Sequence, residues 1–444
     1  MSKYISLFDI LGPVMIGPSS SHTAGASRIG YAGYKLLKNE PTEVRIELYN
    51  SFSDTGRGHK TDLALLGGAI GMAPDDENIK RAFEIADNKG IKYDIKWDNH
   101  SEDYHPNTAI VTLKNAQEEV TIIGYSIGGG RIEIFSKEEH SSYAKRKNSV
   151  NTERESYPTF KELTEVSDNI DGVIEYAKSL ETSRTARLYS DQEKLLDKYW
   201  YVMVTSIKSG LDLKHRAENG MFGDEDNLFA SANPLFSSET FQRAISFSLA
   251  VADNNARMGR ILAAPTAGSC GVLPGIMVAL HLKFNFSKIR IHRALYLAAI
   301  MGAICAGRFE LAGATGGCQA ELGVAGAMSA FAGTYLLGGS LKQMENAASF
   351  VLANCLGLTC DPICGNVEVP CILRNASITS ISLTAIELAK AGVIYPIPLD
   401  EIITVMKEVG DKMPACYKET STGGLAQTET AKKMCKGCKN TLIY

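Results

Sequence analysis

No excess of either charge marks this sequence. Lys and Arg number 46 against 50 Asp and Glu, a formal net charge of −4. That gives no basic face for nucleic acid and none for an anionic membrane surface. The N-terminus lacks a long apolar run, and Asp9 interrupts it, so no signal peptide is expected. A clean membrane span is also missing. Ile261–Leu280 and Leu322–Leu341 each run 20 residues without a charge, but Pro265, Pro274 and three glycines break the first and five glycines the second. Small residues at this density suit helices packed closely in a buried core. There is no convincing internal repeat and no G-x-x-x-x-G-K-[ST] phosphate loop. Beyond about residue 136, no strand-like alternation of useful length occurs.

What remains is ordinary globular material: 444 residues, 45% hydrophobic and 22% charged, enough for two or three domains with a large core. Residues 1–136 read as α+β. Val44–Tyr49 alternates apolar and polar residues, Ile95–Trp97 belongs to another strand, and Ala109–Leu113 and Val120–Tyr125 flank a hairpin loop. Ser126-Ile-Gly-Gly-Gly130 breaks the run and Arg131–Phe135 resumes it. Two helices fit at Ala24–Leu37 and Thr61–Met72. Residues 137–158 are polar, charged and without period, a linker. From Thr159 the pattern is helical: Phe160–Glu181, Asp191–Ser209, Ser237–Ala256, then the glycine-rich apolar stretches. The expected fold is an α+β N-terminal domain (1–136), a linker (137–158) and a large all-α domain (159–444) with buried Gly-rich helices.

Three helix-start motifs carry candidate chemistry. Gly17-Pro-Ser-Ser-Ser-His22-Thr23 opens the first helix, where free N–H groups and the positive dipole end suit a carboxylate or phosphate. The same residues would serve as plain caps, with His22 in solvent. Asn50-Ser-Phe-Ser-Asp-Thr-Gly56-Arg-Gly58-His59-Lys60-Thr61-Asp62 follows a strand and opens another helix. A neutral imidazole at His59 could accept a proton; the alternative is a turn with His59 and Lys60 solvated. Ala264-Pro-Thr-Ala-Gly-Ser-Cys270-Gly-Val-Leu-Pro-Gly275 breaks an apolar region, either to expose backbone groups to a ligand or as a structural kink.

Five of the ten cysteines lie within Cys318–Cys371. With no secretory signal, clustering of this kind points to metal or catalysis and away from a disulfide framework. Cys270 and Cys305 read as small buried hydrophobes. Cys318, Cys360 and Cys371 each adjoin a glycine or proline, or precede one closely, where the chain leaves a regular helix. Their spacing is neither a ferredoxin run nor paired C-x-x-C zinc spacing, and it fits a cluster with one open, Lewis-acidic iron. In the tail, Thr420–Gly424 is a second hydroxyl–glycine run. The C-x-x-C at Cys435 and Cys438 reads as half a zinc site, a redox pair or a solvated tail.

Taken together, Gly17–Thr23, Thr55–Asp62, Tyr125–Gly130, Ala264–Pro274, Gly313–Glu321, Asn354–Asn375 and Tyr417–Ala426 resemble the iron–sulfur-dependent L-serine dehydratases of bacteria, in that family's order and over nearly the whole chain. The resemblance implies a [4Fe–4S] cluster on Cys318, Cys360 and Cys371, with Cys355 and Cys364 as non-ligands and no pyridoxal phosphate. It implies L-serine as substrate and a cytoplasmic homodimer; the near-balanced charge adds the expectation of no nucleic-acid or membrane partner. His59 is the expected base, with His22 as alternative or partner. Ser19, Ser20, Ser21, Thr23, Lys60, Thr422, Gly423 and Gly424 are the expected substrate-binding residues. Some single-chain relatives end on a cysteine that caps the fourth iron; here the chain runs on to Tyr444, which leaves Cys435, Cys438, water or nothing for that role. The alternatives are a related lyase acting on threonine or cysteine, a non-catalytic iron–sulfur redox or sensor protein, and a zinc-stabilised amino-acid-binding module.

Overall fold

Alternation in the N-terminal part becomes one mixed sheet. A computed structural model describes residues 4–141, 157–212, 229, 231–232 and 238–441. Most of the expected linker, 142–156, lies outside the described residues. The chain divides into two compact units: Pro13–Glu153 with Met258–Arg260, and Met1–Gly12 with Arg154–Arg257 and Ile261–Tyr444.

In the smaller unit, after β1 (Val14–Ile16), come β2 (Glu43–Asn50), β3 (Lys92–Asn99), β4 (Asn107–Lys114), β5 (Glu119–Ser126) and β6 (Ile132–Phe135). The last five form a sheet in the order β3-β2-β4-β5-β6. β2 runs parallel to β3 and antiparallel to β4; β4 and β5 make a hairpin. Val44, Ile46 and Leu48 are fully buried and stand opposite Leu113, Val111 and Ala109, so one sheet face is apolar throughout. Asn115 closes the hairpin by accepting from the backbone N–H groups of Gln117 and Glu118.

Two helices cover this face, Ala26–Leu36 and Thr61–Ala69. They cross closely. A Cβ on Gly30 would lie 2.2 Å from the Leu65 carbonyl oxygen, and one on Gly68 would lie 2.1 Å from that of Ser27. Only glycine permits this approach. The first helix starts later than expected, because Ser20–Gly25 forms a π-helical turn ahead of it. Separately, Thr23 Oγ1 donates to the His59 carbonyl, which ties the two histidine motifs side by side.

The larger unit is helical. At its centre, Val324–Leu336 buries every residue except Tyr335. It packs against the helices Val272–Phe284, Lys288–Ala306, Leu341–Asn354 and Leu373–Lys390. A helix apolar all round needs neighbours all round. Three helical segments, Ala267–Phe284, Lys288–Ala306 and Glu368–Lys390, are long and apolar enough to cross a membrane. The first two are 72% and 78% buried within the fold and the third 50%, which accounts for much of their hydropathy. The N-terminal segment is anchored to this unit by buried Glu181, which accepts from Ser6 Oγ, the Leu7 N–H and Arg187.

Three expectations are corrected here. Phe160–Glu181 is two helices, Phe160–Val166 and Ile170–Thr185, because Ser167 is extended and the Asn169 side chain caps the second by accepting from Gly172 N. Ile261–Leu280 becomes helical only at Val272, since Thr266 and Ser269 form a reciprocal cap around a short 3₁₀ turn. A three-residue strand, Arg260–Leu262, lies beyond residue 136, too short to produce visible alternation.

Candidate active site

The two histidine motifs fold into one buried pair. His22 is 2% exposed and His59 1%, which removes the solvated alternative for both. Their ring centroids lie 4.6 Å apart. The polar contacts fix the tautomers. His59 Nδ1 lies 3.1 Å from the Thr55 carbonyl oxygen, which can only accept, so Nδ1 carries the proton. His59 Nε2 then presents a lone pair, and it has no hydrogen-bond partner among the described residues. Around His22, Thr55 Oγ1 donates its proton to the Ser51 carbonyl. It therefore accepts from His22 Nε2, 3.0 Å away, with Ser51 Oγ at 3.1 Å. His22 Nδ1 then accepts from Ser21 Oγ at 2.9 Å. His22 is engaged on both nitrogens and His59 on one.

Burial holds both imidazoles neutral. It lowers the pKa of His59 to about 4, opposed by its bond to the Thr55 backbone. It lowers His22 well below the usual histidine range, aided by the neighbouring His59.

The hydroxyls around this pair divide by task. Ser19 Oγ caps the π-helical turn by accepting from His22 N, and Thr23 Oγ1 accepts from Ser19 N and donates to the His59 carbonyl. Ser19 and Thr23 therefore hold the histidines in place. Ser20 is buried, while Ser21 reaches His22. Lys60 is half-buried in a left-handed conformation just before the Thr61–Ala69 helix. Ser51 and Thr55 lie in the second motif but had no role of their own there, because they meet His22 from 29 and 33 residues away.

In the larger unit, Cys318 follows the Gly313–Gly316 turn, Cys360 lies in an extended loop and Cys371 sits in the π-helical turn Glu368–Ile372. The ligating atoms of Cys318, Cys360 and Glu321 all fall within 4.8 Å of one another. Cys371 is within electrostatic reach of Cys318 and Glu321. The Cys360 thiol is pushed up by its hydrogen bond with Cys318 and then by burial; Cys371 is pushed up by burial and then by Cys318. Burial also raises the carboxyl groups of Glu321 and Glu419, and Glu321 raises that of Glu419 further. Two thiols and a carboxyl group brought together in a low-dielectric site, with the Cys371 thiol nearby and one guanidinium donating to a sulfur, are a donor set that fits a thiolate-bound metal group. Glu321 and Arg374 lie in the segments that carry the resemblance but had no site role there, although each is a charge beside an apolar helical stretch.

The remaining cysteines separate cleanly. Cys270 and Cys305 are fully buried in apolar surroundings. Cys355 is a buried free thiol. Cys364 and Cys435 form a disulfide, with Cα atoms 5.5 Å apart. This corrects the reading of the tail, since Cys435 pairs across space and the paired residue is not a free ligand. The Cys438 side chain lies outside the described residues. At Ala264–Gly275 the exposed backbone is satisfied from within: Asn375 accepts from Gly271 N and donates to the carbonyls of Gly268 and Cys371.

The tail run forms a strap along the Cys360 loop. Cys360 N donates to the Tyr417 carbonyl, Glu419 N to the Cys360 carbonyl and Ser421 Oγ to the Pro362 carbonyl. Thr422 is exposed and bonded to Thr420; Gly423 is buried and Gly424 exposed.

Comparison with known proteins agrees with this two-part arrangement. Residues 6–138 match the family model of the serine dehydratase beta chain, and residues 133–426 match that of the serine dehydratase alpha chain. The chain belongs to the serine dehydratase family, with both parts in one polypeptide. Similar full-length relatives are an L-serine dehydratase of Haemophilus influenzae, 32% identical over 95% of this chain and 98% of that one, and one of Streptomyces coelicolor, 34% identical over the same shares. The L-serine dehydratase alpha chain of Peptoniphilus asaccharolyticus is 38% identical over 54% of this chain and 84% of its own length.

Proposed function

We propose that the protein is an L-serine ammonia-lyase that eliminates water from L-serine to give pyruvate and ammonia. The names of the full-length relatives support the substrate. Cys318, Cys360 and Cys371 would hold a [4Fe–4S] cluster. When bound, the cluster supplies Lewis acidity that makes the substrate hydroxyl a better leaving group.

The protein's own residues meet the other obstacle, the weak acidity of the Cα proton. His59 Nε2 takes that proton. The C–H electron pair becomes the Cα–Cβ double bond, the Cβ–O bond breaks, and the oxygen leaves as water by taking up the proton that His59 Nε2 removed. The resulting aminoacrylate tautomerises to an imine, and water hydrolyses it to pyruvate and ammonia. A positioned base of this kind contributes roughly 10²–10⁴-fold. The observation that carries the assignment is the vacant Nε2 on a histidine kept neutral by burial. His22, engaged on both nitrogens, orients the neighbouring ring. Carboxylate holding is assigned to Ser20, Ser21 and Lys60, and to the Thr422–Gly424 run. We infer, on the family resemblance, a cytoplasmic homodimer that uses no pyridoxal phosphate and, on the near-balanced charge, one with no nucleic-acid or membrane partner.

The test is anaerobic purification with iron and acid-labile sulfide analysis, and a pyruvate assay before and after air. Iron, sulfide and air-sensitive pyruvate formation are expected. An iron-free protein, or activity indifferent to air, overturns the cluster reading.

A further inference from the structure

Arg374 lies between the cysteine group and the tail strap. Its Nη1 donates to Cys318 Sγ at 3.4 Å and to the Thr359 carbonyl at 2.7 Å; its Nη2 donates to Asp361 Oδ1 at 2.8 Å. The Asp361 side chain is 4% exposed and that of Arg374 17%. The other carboxylate oxygen, Oδ2, accepts from Leu425 N at 2.8 Å. Gly424 makes this possible. Its φ is +58°, and a Cβ there would sit 2.3 Å from Asp361 Oδ2. One desolvated ion pair therefore joins the Cys318 sulfur to the backbone at Leu425, the residue that follows the Thr420–Gly424 strap.

We propose that Arg374 is a positioning residue with two linked tasks. Its hydrogen bond to Cys318 sets the electronic character of the group those thiolates hold, and its ion pair with Asp361 sets where the strap presents its hydroxyls to the substrate carboxylate. This rests on the reading that the cysteines hold an iron–sulfur cluster. A donor to a thiolate draws charge from sulfur and favours the reduced state of a bound cluster. The planar guanidinium reaches three acceptors at once; a lysine ammonium, compact and on a different stem, does not. Asp361 touches the strap and Arg374 but makes no hydrogen bond to the sulfur, so the two tasks separate by mutation.

The experiment compares wild type, Arg374→Lys, Asp361→Asn and Gly424→Ala, purified anaerobically. Iron and sulfide content, cluster reduction potential, melting temperature, KM and kcat are measured on each. Arg374→Lys is expected to move the potential to a more negative value and to raise KM about tenfold, the loss of one charge-assisted hydrogen bond. Asp361→Asn and Gly424→Ala are expected to keep the wild-type potential and iron content, and to raise KM by the same order with kcat within about threefold. Gly424→Ala reaches the strap without altering the ion-pair residues, so a poorly folded Arg374 or Asp361 variant leaves the strap half of the proposal open to refutation. A wild-type potential in iron-loaded Arg374→Lys, or wild-type KM in Gly424→Ala, overturns the proposal while leaving the proposed function intact. Wild-type protein without iron or sulfide sinks both.

Discussion

Replacing His59 with glutamine removes the vacant lone pair while leaving an amide that can still donate to the Thr55 carbonyl. If Nε2 takes the Cα proton, kcat should fall by about 10²–10⁴, a barrier increase of about 3–5 kcal/mol. Cluster content should be unchanged. L-serine deuterated at Cα should show a larger isotope effect in the variant, because proton abstraction becomes slower relative to every other step. Stability adds an independent signature. His59 titrates at about 4 in the folded chain against 6.5 unfolded. Between those values the unfolded chain binds more protons, so this contribution is fully present above pH 6.5 and is lost as pH falls towards 4. The difference of 2.5 units amounts to on the order of 3 kcal/mol. Chemical denaturation of wild type and His59→Gln between pH 7 and 4 should therefore show the wild type losing stability more steeply. Turnover within threefold of wild type would refute the base assignment, and parallel pH profiles would refute the account of the buried neutral ring.

Two further outcomes follow from the cysteine pattern. Serine in place of Cys318, Cys360 or Cys371 should each abolish stoichiometric iron binding, whereas Cys355→Ser should retain it; iron retained in all three ligand variants would remove the cluster assignment. Reducing the Cys364–Cys435 disulfide, which spans 71 residues, should lower unfolding free energy by about 4 kcal/mol in the chain-entropy picture, measured by denaturant titration with and without dithiothreitol. The difference should vanish in Cys435→Ser, and a thiol count of ten in the unreduced, denatured protein would show that the pairing does not form.

Elements with a clear period were legible. The alternation in Val44–Tyr49 reflects one buried sheet face, and the expected strand is extended by only one residue at each end, to Glu43 and Asn50. Boundaries set by side-chain caps were less so. The break at Ser167–Asn169 costs nothing in hydropathy and is decided by one asparagine accepting from Gly172 N. The helix starts at His22 and His59 stood out because hydroxyls, glycines and an imidazole together exceed what a cap needs. Solvation could not be read there, since it depends on contacts such as Thr23 Oγ1 to the His59 carbonyl, which bring together positions 36 residues apart.

Composition, periodicity and motif order by themselves determined the α+β part, the helical part and the family resemblance. They could do so because each depends on residue type at short range. Tertiary structure decided which imidazole nitrogen is vacant, that Cys435 meets Cys364, and that Arg374 joins Cys318 to the strap through Asp361. Each of those turns on which donor faces which acceptor across the fold. The strength of such a contact is set by exclusion of water, and burial of that kind is a property of the assembled chain rather than of any stretch within it.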